Sequence, residues 1–300
     1  MKIIFTTENY RYFQSEFSSF KQFEIGKTEF KKFPDGEEYL RLVSNVEGRD
    51  VAIIGGTISE ADTLELYDLA SAITMYGAKS LTMVIPFFGY STMERALRYG
   101  EAVTAKYRAR LISSIPKTPE GNKVVLMDIH SEGIPHYFEN DTHAMHLYCK
   151  KIILEAAREM GGNDFILGST DAGRAKWVES LANDLGVNAA FILKRRISGE
   201  ETKVLNISAD VKQKKVILYD DMIRTGGSLI NAARAYTQAG ATEVSVIATH
   251  GLFVSGACEK LKRCGFIKQI ICTNTHPAVL KFAGDFVKVK SVASLIAENI

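Results

Sequence analysis

One short stretch in the second half of the chain, residues 215–229, most strongly limits what this sequence can fold into. Residues 216–219 (Val-Ile-Leu-Tyr) form an apolar, β-prone run with the length and composition of a buried strand. Helical spacing begins at Leu229 and continues to Ala239. Between them we expect the strand to end at two aspartates and a turn of small residues to follow. The residues of this segment are Asp220, Asp221, Arg224, Thr225, Gly226, Gly227 and Ser228.

The turn has the chemistry of an anion site. Its glycines let backbone N–H groups crowd around a phosphate, Thr225 and Ser228 add hydroxyls, and the dipole of the following helix favours negative charge. Asp220 and Asp221 lie where they could accept hydrogen bonds from the two hydroxyls of a ribose. The stretch therefore predicts a ribose 5-phosphate site. The alternative is that Ser228 only caps the helix and the aspartates are surface charges at a strand end.

The composition bounds the class of protein. A chain of 300 residues with 46% hydrophobic and 24% charged residues suits a soluble globular protein with room for two domains. A net charge of +2 predicts no nucleic-acid binding by bulk attraction, so a phosphate site must be local. Four cysteines without metal spacing indicate reduced thiols and a cytoplasmic protein. We expect neither a signal peptide nor a membrane span, and hence no membrane partner.

Strand and helix patterns alternate along both halves of the chain. The first half predicts strands at 3–5, 51–55, 81–86 and 124–127, helices at 61–76 and 101–115, and a strand–turn–strand unit within 22–41. The second half predicts helices at 145–160 and 172–185 and strands at 165–168, 189–193, 243–248 and 269–273. The alternation indicates an α/β fold with two doubly wound parallel-sheet domains, residues 1–145 and 146–300.

Several predicted strands end in residues that can bind ligands. Residues 85–90 (Ile-Pro-Phe-Phe-Gly-Tyr) form either a packed corner or a wall for base stacking. His130 follows a strand where open α/β sheets bind ligands, and it either ligates a metal, contacts a phosphate or is a satisfied loop histidine. Asp171 either holds Mg²⁺ or caps the next helix.

Three further segments are less specific. Residues 32–37 (Lys-Phe-Pro-Asp-Gly-Glu) predict a hairpin. Residues 194–196 (Lys-Arg-Arg) are either a solvated basic run or mobile cations suited to pyrophosphoryl transfer. His136, His143 and His146 match no defined metal spacing, so a solvated loop is the preferred interpretation.

The order of these segments resembles the ribose-phosphate pyrophosphokinase family over residues 30–275. Type I phosphoribosyltransferases share only the loop that begins at Asp220 and lack the motifs of the N-terminal half. The resemblance therefore favours the pyrophosphokinases. The segments that carry the resemblance are F-P-D-G-E, F-F-G-Y, G-E-A-V-T-A-K, M-D-I-H, S-T-D-A-G, L-K-R-R, D-D-M-I-R-T-G-G-S and A-T-H-G-L-F.

The resemblance implies an activity. In that family two domains, each resembling the type I phosphoribosyltransferase fold, bind ATP and ribose 5-phosphate. With Mg²⁺ present, the anomeric hydroxyl attacks the β-phosphorus of ATP, giving the 1-pyrophosphate and AMP. The resemblance also implies a homo-oligomer, a dimer or a hexamer, in which subunits share ATP sites. Positioning and charge neutralisation carry such a transfer, and no covalent intermediate is required.

The resemblance also implies a role for each matching residue. The ATP subsite would contain Arg95 and His130 with three hairpin residues that the family takes from a neighbouring subunit, namely Phe33, Asp35 and Glu37. His130 and Asp171 would hold the metal. Catalysis would fall to Lys194, Arg196 and His130. The acceptor would be bound by Asp220, Asp221, Arg224, Thr225, Gly226, Gly227 and Ser228.

The chain departs from the family pattern at three places. After F-G-Y the family usually reads A-R-Q-D-(R/K), whereas Thr92 and Met93 here replace the arginine and glutamine expected to touch ATP. Arg224 stands where the loop normally has an aspartate, which adds a five-donor fork suited to phosphate. Thr170 replaces a proline in the S-P-D-A-G string.

Three functions are compatible with these residues. The first is an ordinary synthetase that uses ribose 5-phosphate. The second is the same chemistry on a larger ribose 5-phosphoryl acceptor such as ADP-ribose. The third is a non-catalytic, nucleotide-binding regulator of the family. The chain retains the cationic residues Lys194 and Arg196 and the candidate metal ligands His130 and Asp171. They argue against the third function, since a non-catalytic relative has no chemical reason to keep them.

Overall fold

The computed structural model describes residues 1–170, 172–198 and 201–300, with the side chains at 172, 193–198 and 201–206 outside the description. The chain forms two compact units. One contains Met1–Tyr148 together with Ala293–Ile300, and the other contains Cys149–Val292. The predicted domains, 1–145 and 146–300, differ from these units at the junction and at the C-terminus. Their assignment to ATP and to ribose phosphate remains a prediction.

The first unit is built on a parallel sheet. Its strands are β1 (Lys2–Thr6), β2 (Phe23–Ile25), β3 (Thr28–Lys32), β4 (Glu38–Leu42), β5 (Asp50–Ile54), β6 (Ser80–Ile85), β7 (Asn122–Met127) and β8 (His143–Leu147). Its first helices are α1 (Tyr12–Phe17), α2 (Glu60–Met75) and α3 (Thr104–Ser113). Six strands pair in parallel in the order β2-β1-β5-β6-β7-β8, and β3 and β4 form a separate antiparallel hairpin.

The second unit repeats this design. Its strands are β9 (Ile166–Ser169), β10 (Asn188–Ala190), β11 (Ile192–Ser198), β12 (Glu201–Ile207), β13 (Lys215–Ile223), β14 (Glu243–Gly251), β15 (Ile270–Thr273) and β16 (Val287–Lys290). Its helices are α4 (Lys150–Gly161), α5 (Ala175–Leu185), α6 (Gly227–Gln238) and α7 (Ala257–Arg263), and α8 (Ala293–Ala297) returns to the first unit. The parallel order is β10-β9-β13-β14-β15-β16, with β11 and β12 as an antiparallel pair.

The predicted α/β class with two parallel-sheet domains is confirmed. The central strands are buried on both faces, which explains why they are near-continuous apolar runs rather than alternating ones. Among the described residues, no helix has both the length and the apolar character needed to cross a bilayer.

Two predicted boundaries are wrong. The helix expected from residue 145 begins at Lys150, because Met145 belongs to β8 and pairs with Val125 of β7. The strand expected to end before Asp220 continues to Ile223. It continues because β14 is equally long and pairs with it up to Gly251, so the ladder runs past both carboxylates.

The aromatic segment after β6 is a packed corner rather than an exposed wall. Phe87 and Phe88 are buried, and the Phe88 ring lies 6.2 Å from that of Phe138. Gly89 follows because the backbone here passes very close to Thr57. A Cβ atom on Gly89 would lie 1.9 Å from the Thr57 carbonyl oxygen, and the Gly89 N–H donates to Thr57 Oγ1 at 2.8 Å.

We expect Gly89→Ala to destabilise the first unit by roughly 1–3 kcal/mol, since the added methyl group must displace backbone in a close-packed corner. Thermal and urea unfolding measure the effect. Gly133→Ala is the matched control, because its Cβ would approach nothing closer than Ser131 Oγ at 3.8 Å. Equal stability of the two variants would contradict this account of the corner.

Candidate functional site

The two aspartates occupy different surroundings on β13. Asp221 is only 4% exposed, and its carboxylate forms an ion pair with Arg174, which ends a 3-10 turn at Ala172–Arg174. Asp220 is partly exposed and accepts a hydrogen bond from Thr170 Oγ1 at 3.3 Å. Its other oxygen accepts the Asp221 N–H at 3.0 Å. The two carboxylates therefore differ in exposure and in hydrogen-bond partner.

The electrostatics of the pair single out Asp220. Burial raises the pKa of Asp220 to about 7, and the neighbouring Asp221 carboxylate adds to the rise while Arg174 opposes it. Asp220 is therefore poised between its neutral and charged forms at neutral pH. The interpretation of both aspartates as surface charges does not fit, since Asp221 is buried and paired.

The turn after β13 leaves the start of α6 open. Gly226 precedes the helix with a φ of +78°, which favours glycine, and a Cβ there would lie 2.9 Å from Leu261. A Cβ on Gly227 would meet no described atom within 4 Å. Thr225 and Ser228 are exposed, and no side chain among the described residues caps α6, so Ser228 is not a helix cap. The first N–H groups of α6 and two hydroxyls are thus available to an anion.

Arg224 begins this turn with an exposed side chain. Its carbonyl accepts the Val254 N–H at 3.0 Å, and the carbonyl of Ile223 accepts the N–H groups of Leu252 and Phe253 at 3.0 and 3.1 Å. The backbone is therefore held from the segment that follows β14. Within the described part of the chain, the Arg224 guanidinium has no ion-pair partner. It adds a positive charge beside the open end of α6.

A buried polar network lies on β14 and β15, next to β13. Thr273 and Thr275 donate their hydroxyls to the Thr249 carbonyl at 2.7 and 3.0 Å, and His250 Nδ1 lies 2.8 Å from Thr275 Oγ1. Burial lowers the pKa of His276 to about 4, with His250 adding to the effect. Sequence reasoning assigned these residues no role. Polar residues clustered at the ends of two adjacent parallel strands were the signal that could have found them.

The predicted ATP-side residues of the hairpin are exposed. The β3–β4 hairpin is confirmed, with Phe33, Asp35 and Glu37 at its tip. Asp35 Oδ1 accepts the Glu37 N–H at 3.1 Å, and the Phe33 N–H donates to the Glu37 carbonyl at 2.8 Å. Phe33 remains 46% exposed although its ring lies 6.5 Å from that of Tyr39. These hydrogen bonds close the turn, and its side chains are exposed to solvent.

His130 is exposed on the loop that leaves β7. Asp128 is buried with a φ of +36°, and the Ile129 N–H donates to His146 Nε2 at 3.2 Å. His146 therefore holds this loop from β8, and the expectation of a solvated histidine loop is wrong for it. Arg95, also in the first unit, is 73% exposed and pairs with Glu94 at 3.4 Å.

The structure gives no geometry for three predicted residues. Asp171 lies outside the described residues, and the side chains of Lys194 and Arg196 on β11 lie outside the description as well. Among the residues that are described, no group of three or more His, Cys, Asp or Glu side chains could hold a metal ion. In the second unit the structure brings Thr170 into hydrogen-bond contact with Asp220, and the turn at residues 224–228 follows β13.

The charge of Asp220 should make stability depend on pH. The folded state holds its proton up to about pH 7, whereas the unfolded state loses it near pH 4, so the free energy of unfolding falls as pH rises between these values. We expect Asp220→Asn to be more stable than the parent at pH 8, by roughly 1–3 kcal/mol, with the difference vanishing near pH 4. Thermal unfolding across this range measures it. The exposed Asp285→Asn serves as control, and identical pH dependence in all three proteins would refute the assignment.

Comparison with known proteins identifies the family. The N-terminal domain of ribose phosphate pyrophosphokinase matches residues 2–115, and the phosphoribosyl synthetase-associated domain matches residues 171–300. A ribose-phosphate pyrophosphokinase of Caldanaerobacter subterraneus subsp. tengcongensis is 33% identical over 99% of this chain and 93% of its own length. A chloroplastic ribose-phosphate pyrophosphokinase 2 of Spinacia oleracea is 34% identical over 92% of this chain and 70% of its own length. The crystal structure of phosphoribosylpyrophosphate synthetase from Mycobacterium smegmatis superimposes with a TM-score of 0.87 and 26% identity, covering 99% of this chain and 96% of that one. The chain belongs to the ribose-phosphate pyrophosphokinase family.

Proposed function

We propose that this protein transfers the pyrophosphoryl group of ATP to the anomeric hydroxyl of ribose 5-phosphate, giving phosphoribosyl pyrophosphate and AMP. The observation that carries the proposal is the open start of α6 directly after a partly exposed carboxylate on β13. Asp220 accepts hydrogen bonds from ribose hydroxyls, and the first N–H groups of α6 with Thr225 and Ser228 bind the 5-phosphate. Family membership supports the same activity.

The reaction requires positioning and charge neutralisation. The anomeric oxygen bonds to the β-phosphorus of ATP, the bond from that phosphorus to the oxygen bridging the α-phosphate breaks, and AMP leaves as the hydroxyl loses its proton. Lys194 and Arg196 neutralise the charge on the migrating group, and His130 contacts the phosphates, as the family resemblance implies.

The ATP subsite draws on the first unit. Phe33, Asp35 and Glu37 stand exposed at the hairpin tip, which suits a contribution to a neighbouring subunit in a homo-oligomer, a dimer or a hexamer. Arg95 and His130, both exposed, complete the subsite.

Mg²⁺ is the expected cofactor. As the family resemblance implies, His130 and Asp171 would hold it. Mg²⁺ suits a site with few protein ligands, because it usually keeps several waters and binds substrate phosphates. When bound, the ion neutralises phosphate charge.

The four cysteines form no disulfide among the described residues, which supports a reducing cytoplasmic location.

A second candidate acceptor follows from Arg224. Its exposed guanidinium, without an ion-pair partner in the described chain, lies at the turn that would bind the 5-phosphate. A guanidinium fork recognises phosphate oxygens in bidentate fashion. An acceptor with a 5-diphosphate, such as ADP-ribose, places further negative charge there and still offers a free anomeric hydroxyl.

One assay tests the function and separates the candidates. The purified protein is incubated with ATP, Mg²⁺ and either ribose 5-phosphate or ADP-ribose, and AMP is quantified. AMP with ribose 5-phosphate supports the main proposal, and AMP with ADP-ribose alone would replace it with the second candidate. Absence of AMP with every ribosyl acceptor would refute both and favour a non-catalytic regulator.

We expect Arg224→Asp to shift acceptor preference towards ribose 5-phosphate if the second candidate holds, because it replaces a phosphate-binding cation with a repelling carboxylate. The ratio of kcat/KM for the two acceptors should change by roughly tenfold or more, since one lost charged hydrogen bond costs about 1.5–3 kcal/mol. The exposed Arg263→Asp is the control for a general charge effect. An unchanged ratio in Arg224→Asp would remove the support for a larger acceptor.

A further inference from the structure

Arg174 links two segments of the acceptor site. It closes the 3-10 turn at Ala172–Arg174, just after β9, and its Nη2 contacts Asp221 Oδ2 on β13. Thr170 makes a second link in the same place through its hydroxyl and Asp220. The turn after β9 is thereby fastened to the acidic end of β13 by two side chains. Neither the sequence patterns nor the family resemblance assigned Arg174 a role.

Burial makes this link energetically important. Asp221 is 4% exposed, and the Arg174 side chain is 23% exposed. A buried carboxylate without a partner is costly, and removal of one member of a buried pair leaves an uncompensated charge. Arg174 therefore permits Asp221 to stay ionised inside the unit.

The pair also decides what the neighbouring carboxylate can do. The charged groups that act on Asp220 among the described residues are Asp221, which raises its pKa, and Arg174, which lowers it. Without Arg174, the two carboxylates would lose the positive charge that lowers the pKa of Asp220. Asp220 would then hold its proton more tightly and accept hydrogen bonds less well.

We infer that Arg174 is a positioning residue of the acceptor site, which neutralises Asp221 and leaves Asp220 as the carboxylate that receives the acceptor hydroxyls. The inference rests on the proposed function and refines it. The two aspartates are not an equivalent pair that shares the sugar diol. Asp221 supports the site from within, and Asp220 faces the acceptor.

The test is acceptor binding, measured by isothermal titration of the full-length protein with ribose 5-phosphate and, separately, ADP-ribose. The variants are Arg174→Gln, Arg174→Lys, Asp221→Asn and the double variant Arg174→Gln/Asp221→Asn. Arg263→Gln is the control, since that arginine is exposed in the same unit. Binding is followed from pH 6 to pH 9.

We expect Arg174→Gln to weaken acceptor binding roughly tenfold or more at pH 7, because fewer molecules would carry Asp220 in the ionised form that receives the acceptor hydroxyls. Binding should recover as pH rises, because Asp220 then ionises even without Arg174. Arg174→Lys should restore part of the affinity. The double variant should bind better than Arg174→Gln, because it carries no unpaired carboxylate at position 221.

Three results would overturn the inference. One is wild-type binding by Arg174→Gln. Another is a loss of affinity that does not change with pH, which indicates a merely structural role. The third is multiplication of the two single effects in the double variant, which indicates that Arg174 contacts the acceptor directly.

Two complications remain interpretable. If Arg174→Gln fails to fold, the double variant decides, because it carries no unpaired buried carboxylate at position 221. Binding close to that of the wild type supports the inference, and a loss of roughly tenfold or more overturns it. If the wild-type protein binds neither acceptor and forms no AMP with either, the proposed function itself is wrong and the inference falls with it. Failure of the inference alone leaves wild-type binding intact.

Discussion

The parallel ladder between β13 and β14 continues past Asp220 and Asp221, and the candidate acceptor site depends on that continuity. The two adjacent carboxylates on this strand have two different environments. One becomes buried and needs Arg174 as its counter-ion. The other stays partly exposed next to the open start of α6.

Two features of the segment from Asp220 to the start of α6 reduce stability and suit ligand binding. The raised pKa of Asp220 means that ionising it opposes folding, and the open end of α6 leaves backbone N–H groups without a side-chain cap. A protein selected only for stability would have an amide instead of a carboxylate at position 220. It would also have a serine or aspartate as the N-cap of α6, where Gly226 stands. Asp220 and the uncapped start of α6 both belong to the proposed acceptor site, where a bound sugar phosphate would supply the missing hydrogen bonds.

Sequence patterns predicted most of the fold because its central strands are unbroken apolar runs separated by helical spacing. They failed where tertiary pairing overrides local character. Residues 145–147 look helical but pair with β7. The predictions also omitted β16, although its Val-Lys-Val-Lys alternation is typical of a half-buried strand. In the site, the residue types at 220–228 predicted phosphate and ribose chemistry. The partners Arg174 and His146 could not be predicted, because they lie 47 residues from Asp221 and 17 residues from Ile129 along the chain.

The sequence by itself determined the α/β class, the strand–turn–helix loop and, through the order of its motifs, the family. These depend on local composition and spacing, which a chain carries whether or not it is folded. Only the tertiary structure decided that Asp221 is buried against Arg174, that Ser228 leaves α6 uncapped and that Phe87 and Phe88 pack inside a corner. Burial and ion pairing arise from segments that are distant in the chain and adjacent in space, so no local pattern contains them.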